Sequence, residues 1–593
     1  MCGIAGVMGR DGRPADRSIL ERMARAMFHR GPDGTGLHID GAVGLLNTRL
    51  AIVDVAGGDQ PFLTADGSAL VANGEIYNDP ALREQLTDVT FQSHSDCEPP
   101  LHLYHRQGLD FPDSLRGMYA IALHDKPANR LILARDPYGI KQLYYTITPD
   151  LFAFASEPQA LISAGLVGID LESDAGAELM QLQFTTGATT IYRNIFRLLP
   201  GETLVIDNGA ITERRRIQLH RGPAVRSEGN DSDAGALANL DRLLTETVKL
   251  HVRADVPSGL FLSGGIDSSV ILTLMSRLSS QPVTTLTAGF NEAGAKDESE
   301  KARRVAKATG ADHHMVTVTA ADFFAYAPKV AQAMDDPTTD SSALPIYMLA
   351  QAAHTAGLKV ILSGEGADEM FGGYKRYRRA LWFFGLMPQR TRTRGVFSHL
   401  TPQPASLARW RDGLARTELA ESANACTAMQ RLQDIDCAEW LPNDLLIKLD
   451  RCLMANSVEG RTPFLDPVLS PFAYGLPNHL KVRNGLGKWL LREWLSQNLP
   501  EADAMSKKQG FIPPMGQWIE QYRSRIEPHL LVNPGLAELS LLPAVRQVFS
   551  DLQRYPQAAW NLIFYALWHS HHVLGLPAEG GIEEALSATR LAA

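Results

Sequence analysis

The chain has 593 residues, of which 45% are hydrophobic and 21% are charged, and its formal net charge is -9. A length well beyond the roughly 250–300 residues at which one core stops growing predicts at least two folded domains. The acidic balance disfavours nucleic acid or an anionic membrane as the main partner, because both bind clustered Lys and Arg.

The cysteine pattern indicates a reducing compartment, and the hydropathy pattern predicts no membrane span. The five cysteines are scattered and include no CxxC pair, so we expect neither a disulfide framework nor a cysteine-based zinc site. No apolar run approaches the ~20 residues of a membrane span, and no basic n-region of a signal peptide is visible. We therefore expect a cytoplasmic protein with small-molecule partners and no membrane partner.

The first predicted domain, residues 2–210, reads as short strands separated by Gly- and Asp-rich turns. The predicted strands are 41–46, 68–71, 119–123, 131–134 and 151–154. Helical periodicity indicates helices at 18–27 and 80–85. A polar stretch at 220–235 (HRGPAVRSEGNDSDAG) marks a linker, which we place at 211–236.

The second predicted domain, residues 237–593, alternates long helical patterns with short apolar strands at 260–262, 283–287 and 359–362. Strands separated by helices predict a parallel α/β sheet that is covered on both faces. From about residue 380 onward the pattern is mostly helical.

Cys2 has an unusual position because it directly follows Met1. Removal of Met1 would leave an α-amine and a thiol on the same residue. An α-amine with a pKa near ~8 can act as the base for its own thiol, which makes Cys2 a candidate nucleophile. A buried structural cysteine is the alternative interpretation.

Five further residues could form an amino-acid site around that nucleophile. Arg49 could hold a carboxylate in a bidentate fork, and the Asn73 amide with the Gly74 N–H could form an oxyanion hole. Glu75 and Asp96 could bind an α-ammonium group. Each residue alone is equally typical of a surface ion pair or a turn.

The motifs of this region occur in a characteristic order: MCGIAG, HRGPD, RLAIVD, NGEIYN, SDCE and ARDPYGIKQLYY. This order resembles the class II glutamine amidotransferase domain, an α+β N-terminal-nucleophile fold with an αββα sandwich. The resemblance implies that Cys2 attacks the glutamine side-chain amide. It also implies glutamine-site roles for Arg49, Ile52, Val53, Asn73, Gly74, Glu75 and Asp96. Cys97 and Gln142 depart from the family, which usually has Thr and Pro at these positions.

The stretch LSGGIDSS (262–269) runs from an apolar strand through a Gly-rich turn into a helix. Such a turn presents backbone N–H groups and the positive end of a helix dipole to an anion. Asp267 adds a possible metal ligand, while Ser268 and Ser269 add hydroxyls. An ordinary strand–turn–helix joint would explain SGG alone, and the absence of a following Lys excludes a Walker A loop. The full string resembles the PP-loop of ATP pyrophosphatases.

A second loop, SGEGADEMFGGY (363–374), follows another apolar strand. Glu365, Asp368 and Glu369 lie among glycines, a pattern typical of a magnesium and substrate site. An acidic helix N-terminus could account for one of them.

With the later strings LLIKLDR, RTPFLD, KWLLR and KKQGF, the second domain resembles glutamine-hydrolysing asparagine synthetases. The resemblance implies ATP and Mg²⁺ as cofactors, with Mg²⁺ on Asp267 and Asp368. Lys508 would neutralise charge on pyrophosphate, and Glu365 would assist formation or ammonolysis of the acyl-adenylate. The implied ATP-binding residues are Leu262, Ser263, Gly264, Gly265, Asp267, Ser268, Ser269, Ala288, Ser363 and Gly364. Gly460 and Ser506 depart from the family.

The sequence thus predicts a glutamine-dependent synthetase that converts aspartate to asparagine through β-aspartyl-AMP. Rival interpretations are an amidotransferase for another carboxylate, an acyl-adenylate-forming cyclase, and a binding protein that has lost the chemistry. Glu365 and the intact glutamine site disfavour the cyclase, and the presence of Cys2, Arg49, Asp96, Asp267 and Asp368 disfavours the binding protein. A homodimer is plausible from the family resemblance alone.

Overall fold

The computed structural model describes residues 2–217, 232–290, 299–381, 391–422, 427–507 and 513–588. Twelve strands of the first domain form two six-stranded antiparallel sheets, ordered β10-β8-β9-β1-β3-β2 and β12-β11-β7-β6-β5-β4. The strands are β1 (Gly3–Gly9), β2 (Gly34–Asp40), β3 (Val43–Arg49), β4 (Phe62–Leu63), β5 (Ala69–Ile76), β6 (Gly117–Asp125), β7 (Arg130–Arg135), β8 (Tyr144–Ile147), β9 (Leu151–Ala155), β10 (Phe196–Arg197), β11 (Glu202–Asp207) and β12 (Ala210–Arg216).

Alternating side chains of these strands explain the layered arrangement. Ile4 and Met8 of β1 pack with Leu131 and Leu133 of β7 between the two sheets. The opposite faces are covered by the helices α1 (Arg17–Ala26), α2 (Asp79–Gln85), α3 (Pro99–Gln107), α4 (Pro158–Ser163) and α5 (Ser173–Leu182). Because strand side chains alternate in direction, each sheet can bury one face against the other sheet and one against helices. The predicted αββα sandwich is confirmed.

The second domain contains a five-stranded parallel sheet with the order β15-β14-β13-β16-β17. Its strands are β13 (Ser258–Phe261), β14 (Thr284–Phe290), β15 (Asp312–Val318), β16 (Val360–Leu362) and β17 (Glu459–Arg461), and β18 (Val482–Arg483) and β19 (Leu486–Gly487) form a separate hairpin. The chain moves outward from β13 to β15 and then resumes on the other side at β16. The carboxyl ends of β13 and β16 therefore flank a switch point, the usual position of a ligand crevice in such sheets.

Helices surround this sheet and form the C-terminal part of the chain, as predicted. They are α6 (Asp233–His251), α7 (Ile266–Leu278), α8 (Ser299–Thr309), α9 (Ala320–Ala333), α10 (Ala343–Thr355), α11 (Ala367–Phe371), α12 (Lys375–Ala380), α13 (Asp412–Ser422), α14 (Ala428–Ile435), α15 (Ile447–Met454), α16 (Leu469–Gly475), α17 (Asn478–Lys481), α18 (Trp489–Asn498), α19 (Met515–Leu530), α20 (Pro534–Glu538), α21 (Leu542–Phe549), α22 (Pro556–His572) and α23 (Ile582–Ser587). Across the described ranges, no helix has the length and apolarity needed to cross a membrane.

The predicted linker, 211–236, includes the last residues of β12 and the first residues of α6, and its centre lies outside the described residues. The boundaries assigned from sequence remain a prediction. Buried polar contacts join the two domains directly. Asp336, after α9, accepts hydrogen bonds from Tyr144 Oη at 2.8 Å and from Arg197 Nε at 2.7 Å, both in the first domain.

Candidate active sites

Cys2 lies at the start of β1 and is 8% exposed. Its backbone N–H donates to Asn73 Oδ1 at 3.1 Å, and its carbonyl accepts from Arg30 Nε at 3.2 Å. Two neighbouring side chains therefore fix the backbone of the predicted nucleophile. Arg30, to which sequence reasoning gave no role, also contacts Asp450 of the second domain at 2.9 Å.

Asn73 and Gly74 lie side by side on β5. The hydrogen bond from the Cys2 N–H to Asn73 Oδ1 fixes the orientation of the Asn73 amide group. The other amide atom, Nδ2, is buried and has no hydrogen-bond partner among the described residues. A Cβ at position 74 would lie 2.2 Å from the Met118 carbonyl oxygen, so the close packing of β5 on β6 requires glycine. An unused amide donor beside the nucleophile matches the predicted oxyanion hole.

Arg49 ends β3, and its side chain is held by the following loop. Its guanidinium donates to the carbonyl oxygens of Val55 and Asp54 and pairs with Asp59 at 2.9 Å. The Asp59 side chain is 82% exposed, so a substrate carboxylate can replace it at little cost. The loop also meets the second domain, because the Ile52 carbonyl accepts from the Asp255 N–H at 2.9 Å and Val53 packs on the core there.

Glu75 and Asp96 bring two buried carboxyl groups to this site. Asp96 accepts a hydrogen bond from the Ile76 N–H at 2.6 Å, yet burial raises its pKa to about 6. Burial also raises the pKa of Glu75 well above its usual range. Desolvated carboxyl groups gain from a bound cation, so their surroundings suit an α-ammonium group. Between them the buried Cys97 thiol lies 3.6 Å from Asp96 Oδ2 and from the Gly74 carbonyl oxygen.

In the second domain, the turn after β13 has the shape that the motif predicts. Gly264 has a φ of +73°, and a Cβ there would lie 2.6 Å from the Ala302 backbone nitrogen. Gly265 caps α7, whose first turn contains Asp267. The Ser263 and Ser268 hydroxyls lie 3.1 Å apart. The N-terminus of α7 therefore opens onto the crevice at the switch point, where it can bind phosphate.

A cavity of about 700 Å³ occupies this crevice. Most of the predicted ATP-site residues line it, together with Glu365 and Asp368: these are Leu262, Ser263, Asp267, Ser268, Ala288, Ser363 and Gly364. Gly264, Gly265 and Ser269 are not part of the lining. The Ser269 side chain is fully buried within α7, so its hydroxyl does not reach the cavity. Lys508 lies outside the described residues.

Lys488, for which the sequence analysis made no prediction, lies between the two predicted magnesium ligands. Its Nζ is 2.6 Å from Asp267 Oδ2 and 2.8 Å from Asp368 Oδ1, and its side chain is 4% exposed. Two carboxylates that share one ammonium are close enough to share one divalent cation, so the donor set fits Mg²⁺. Lys488 is the first residue of the string KWLLR, and the fold places it beside Asp267 and Asp368.

A second charged pair forms another part of the cavity wall. Lys448 Nζ, on α15, contacts the carboxylate of Asp340 and lies 2.8 Å from Ser342 Oγ. Asp340 lines the cavity and lies on the segment that connects α9 to α10. The Thr339 N–H of this segment donates a 2.8 Å hydrogen bond to the Gln183 carbonyl oxygen. Burial lowers the pKa of Lys448, but the negative charge of Asp340 raises it, and the net change is upward. Sequence reasoning missed this pair as well.

Taken together, Cys2 with an unpartnered buried Asn73 amide donor and the buried carboxyl groups of Glu75 and Asp96 lies in one domain, and a Gly-rich turn opens onto a crevice in the other. That combination defines an ATP-dependent amidotransferase. The sequence matches the family "Asparagine synthase" over residues 239–570 and the family "Glutamine amidotransferase domain" over residues 1–216. The chain belongs to the asparagine synthase family.

Similar proteins span nearly the whole chain. Asparagine synthetase [glutamine-hydrolyzing] 1 of Bacillus subtilis is 30% identical and covers 97% of both chains. A putative asparagine synthetase [glutamine-hydrolyzing] of Mycobacterium tuberculosis is 32% identical over 96% of this chain and 97% of its own. Amidase chyE of Penicillium rubens is 29% identical over 87% of this chain and 89% of its own.

Proposed function

We propose that the protein is a glutamine-dependent asparagine synthetase. The observation that carries the proposal is that the predicted glutamine-site residues near Cys2 and a cavity lined by Glu365 and two candidate metal ligands occur in one chain. Ammonia released in the first domain serves as the nucleophile in the second. The family membership and the relatives with that printed name support this activity.

In the first domain, removal of Met1 frees the α-amine of Cys2, which takes the proton of the Cys2 thiol, and the sulfur attacks the side-chain amide carbon of glutamine. Asn73 Nδ2 and the Gly74 N–H stabilise the oxyanion. The tetrahedral species collapses to a thioester as ammonia leaves with the proton, and water then hydrolyses the thioester to glutamate. Arg49 holds the substrate carboxylate, while Glu75 and Asp96 hold its ammonium.

In the second domain, the β-carboxylate of aspartate attacks the α-phosphorus of ATP, and pyrophosphate leaves. Backbone N–H groups of the turn before α7 bind phosphate, and Lys488 and Lys508 neutralise the leaving group. Asp267 and Asp368 would hold Mg²⁺, which supplies further charge neutralisation when bound. Ammonia then attacks the acyl carbon of β-aspartyl-AMP, releases AMP and loses a proton, and Glu365, which lines the same cavity, is the predicted base.

The Lys448–Asp340 pair supports an α-amino acid as the acceptor. An amino acid carries an ammonium and a carboxylate on one carbon, and an adjacent lysine and aspartate offer the complementary charges. Aspartate bound this way presents its β-carboxylate to the ATP loops that line the same cavity. The Ser342 hydroxyl, 2.8 Å from Lys448 Nζ, adds a further polar contact.

The proposal is tested by incubating the purified protein with ATP, Mg²⁺ and glutamine, with and without aspartate. We expect AMP, pyrophosphate and asparagine to form only when aspartate is present. AMP formation that ignores aspartate would contradict the proposal. That result would favour the second candidate, amidation of another carboxylate, which the similarity to a protein named amidase supports.

Two further proposals concern the state of the protein. We expect it to be cytoplasmic, because Cys2, Cys97, Cys437 and Cys452 are buried free thiols that suit a reducing compartment. We also expect a homodimer, which light scattering on a sizing column would distinguish from a monomer.

A further inference from the structure

Three side chains that can ligate metals converge at the rim of the first domain, and none belongs to either active site. His38 and Asp40 lie on β2, the edge strand of one sheet, and His124 lies on β6 of the other sheet. One ring nitrogen of each histidine and one carboxylate oxygen of Asp40 all lie within 4.8 Å of one another. The two sheets therefore contribute ligands to a common point.

Each of the two imidazoles has one buried ring nitrogen without a hydrogen-bond partner among the described residues. Nε2 of His38 and Nδ1 of His124 are buried, and neither has a hydrogen-bond partner within the described ranges. His124 is 2% exposed, and its ring centroid lies 6.3 Å from that of His38. Buried polar atoms are nearly always satisfied in folded proteins, so two unpartnered imidazole nitrogens in a cluster that also contains a carboxylate support a ligand at this position.

The local charges are compatible with a cation. Imidazole nitrogens and carboxylate oxygens are common ligands of divalent transition metals. Asp40 currently pairs with Lys126 Nζ at 2.9 Å, but the Lys126 side chain is 50% exposed. Lys126 can therefore turn into solvent when a metal ion replaces its ammonium group.

We propose that His38, Asp40 and His124 bind a divalent transition metal, for which Zn²⁺ is the best match. Two imidazoles and one carboxylate are a common zinc ligand set, and water can complete the tetrahedron. The ion would cross-link β2, which among the described strands pairs only with β3, to the second sheet. Because zinc binds the folded state, it raises the stability of the domain in proportion to the logarithm of its free concentration.

The test is a zinc titration of chelator-treated, tag-free protein by calorimetry. It uses a Cys2→Ala background, since the thiol and α-amine of Cys2 could themselves bind zinc. We expect one zinc per chain and a rise of several degrees in Tm. His124→Ala and Asp40→Asn should each weaken binding by at least about tenfold. His105→Ala, which alters a half-exposed histidine beside Asp66, should leave binding unchanged.

Anomalous scattering at the zinc edge gives an independent readout if His124→Ala fails to fold. A peak among His38, Asp40 and His124 in zinc-soaked crystals supports the proposal. A peak elsewhere, an ordered water with no anomalous signal, or an affinity that Asp40→Asn leaves unchanged would overturn it.

Discussion

Arg461 of the synthetase domain and Glu75 of the glutaminase domain form a fully buried ion pair, with Nη2 and Oε2 2.9 Å apart. The geometry is that of a charge contact rather than an aligned hydrogen bond. The Arg461 carbonyl also accepts from the Ser363 N–H at 2.8 Å, and Ser363 lines the ATP cavity. Arg461 thus contacts a predicted glutamine-binding residue, Glu75, and the backbone of the loop 363–374.

The first prediction concerns this contact. Arg461→Lys keeps the charge but loses the fixed fork that also binds Glu459 and the carbonyls of His251 and Arg253. We expect the KM for glutamine to rise by about tenfold while ammonia-dependent synthesis stays near the wild-type rate. Arg253→Lys, at a half-buried arginine that pairs with Asp79, is the matched control. Equal losses with glutamine and ammonia would show that Arg461 has only a structural role.

The second prediction is an acidic limb in glutamine hydrolysis. Burial raises the pKa of Asp96 to about 6, and the ionised form is the one that attracts an ammonium group. As pH falls through about 6, Asp96 takes up a proton, so kcat/KM for glutamine should fall about tenfold per pH unit. Rates measured from pH 4.5 to 8 without ATP would show it. A limb that persists unchanged in Asp96→Asn would assign it to another group.

The third prediction concerns stability. Burial, with Asp368 nearby, raises the pKa of Glu369 to about 8. Its unfolded pKa is lower, so unfolding releases a proton between about pH 4.5 and 8, and stability from this group falls as pH rises through that range. Glu369→Gln can still accept the hydrogen bond from Tyr374 Oη.

We therefore expect Glu369→Gln to stabilise the protein at pH 8 by about 1–3 kcal/mol more than at pH 5. Urea unfolding in EDTA at both pH values measures this difference, because Mg²⁺ on Asp368 would otherwise alter the charge balance. An equal change in the free energy of unfolding at both pH values would exclude titration of Glu369 as its source.

The fourth prediction separates two adjacent lysines, Lys507 and Lys508. Only Lys508 matches the family lysine that neutralises pyrophosphate. Lys508→Ala should lower AMP formation by about 100-fold or more, because a charge that acts on the leaving group is lost in the transition state. Lys507→Ala should have little effect, since Lys507 is exposed. Glutaminase activity without ATP should survive in both, and similar losses in the two variants would refute the assignment.

The sequence predicts residues for both candidate sites because their chemistry is concentrated in short strings, and the fold brings most of these residues together. Cys2, Asn73 and most of the PP-loop residues lie where the motifs predict. The long-range partners Arg461, Lys488 and Lys448 could not be found, because each was visible in a string but its contact exists only after the sheets and helices pack. Ser269 differs from its neighbours in the motif, since its side chain is fully buried and does not line the cavity.

We propose that ammonia made at Cys2 is used at the second site. To test this, the protein is incubated with glutamine that carries a ¹⁵N-labelled amide, ATP, Mg²⁺ and aspartate in a solution of unlabelled ammonium. We expect asparagine whose amide is mostly ¹⁵N from the unmutated protein and only unlabelled asparagine from Cys2→Ala. Asparagine with the isotope ratio of the bath in the unmutated protein, or no asparagine at all, would contradict the account.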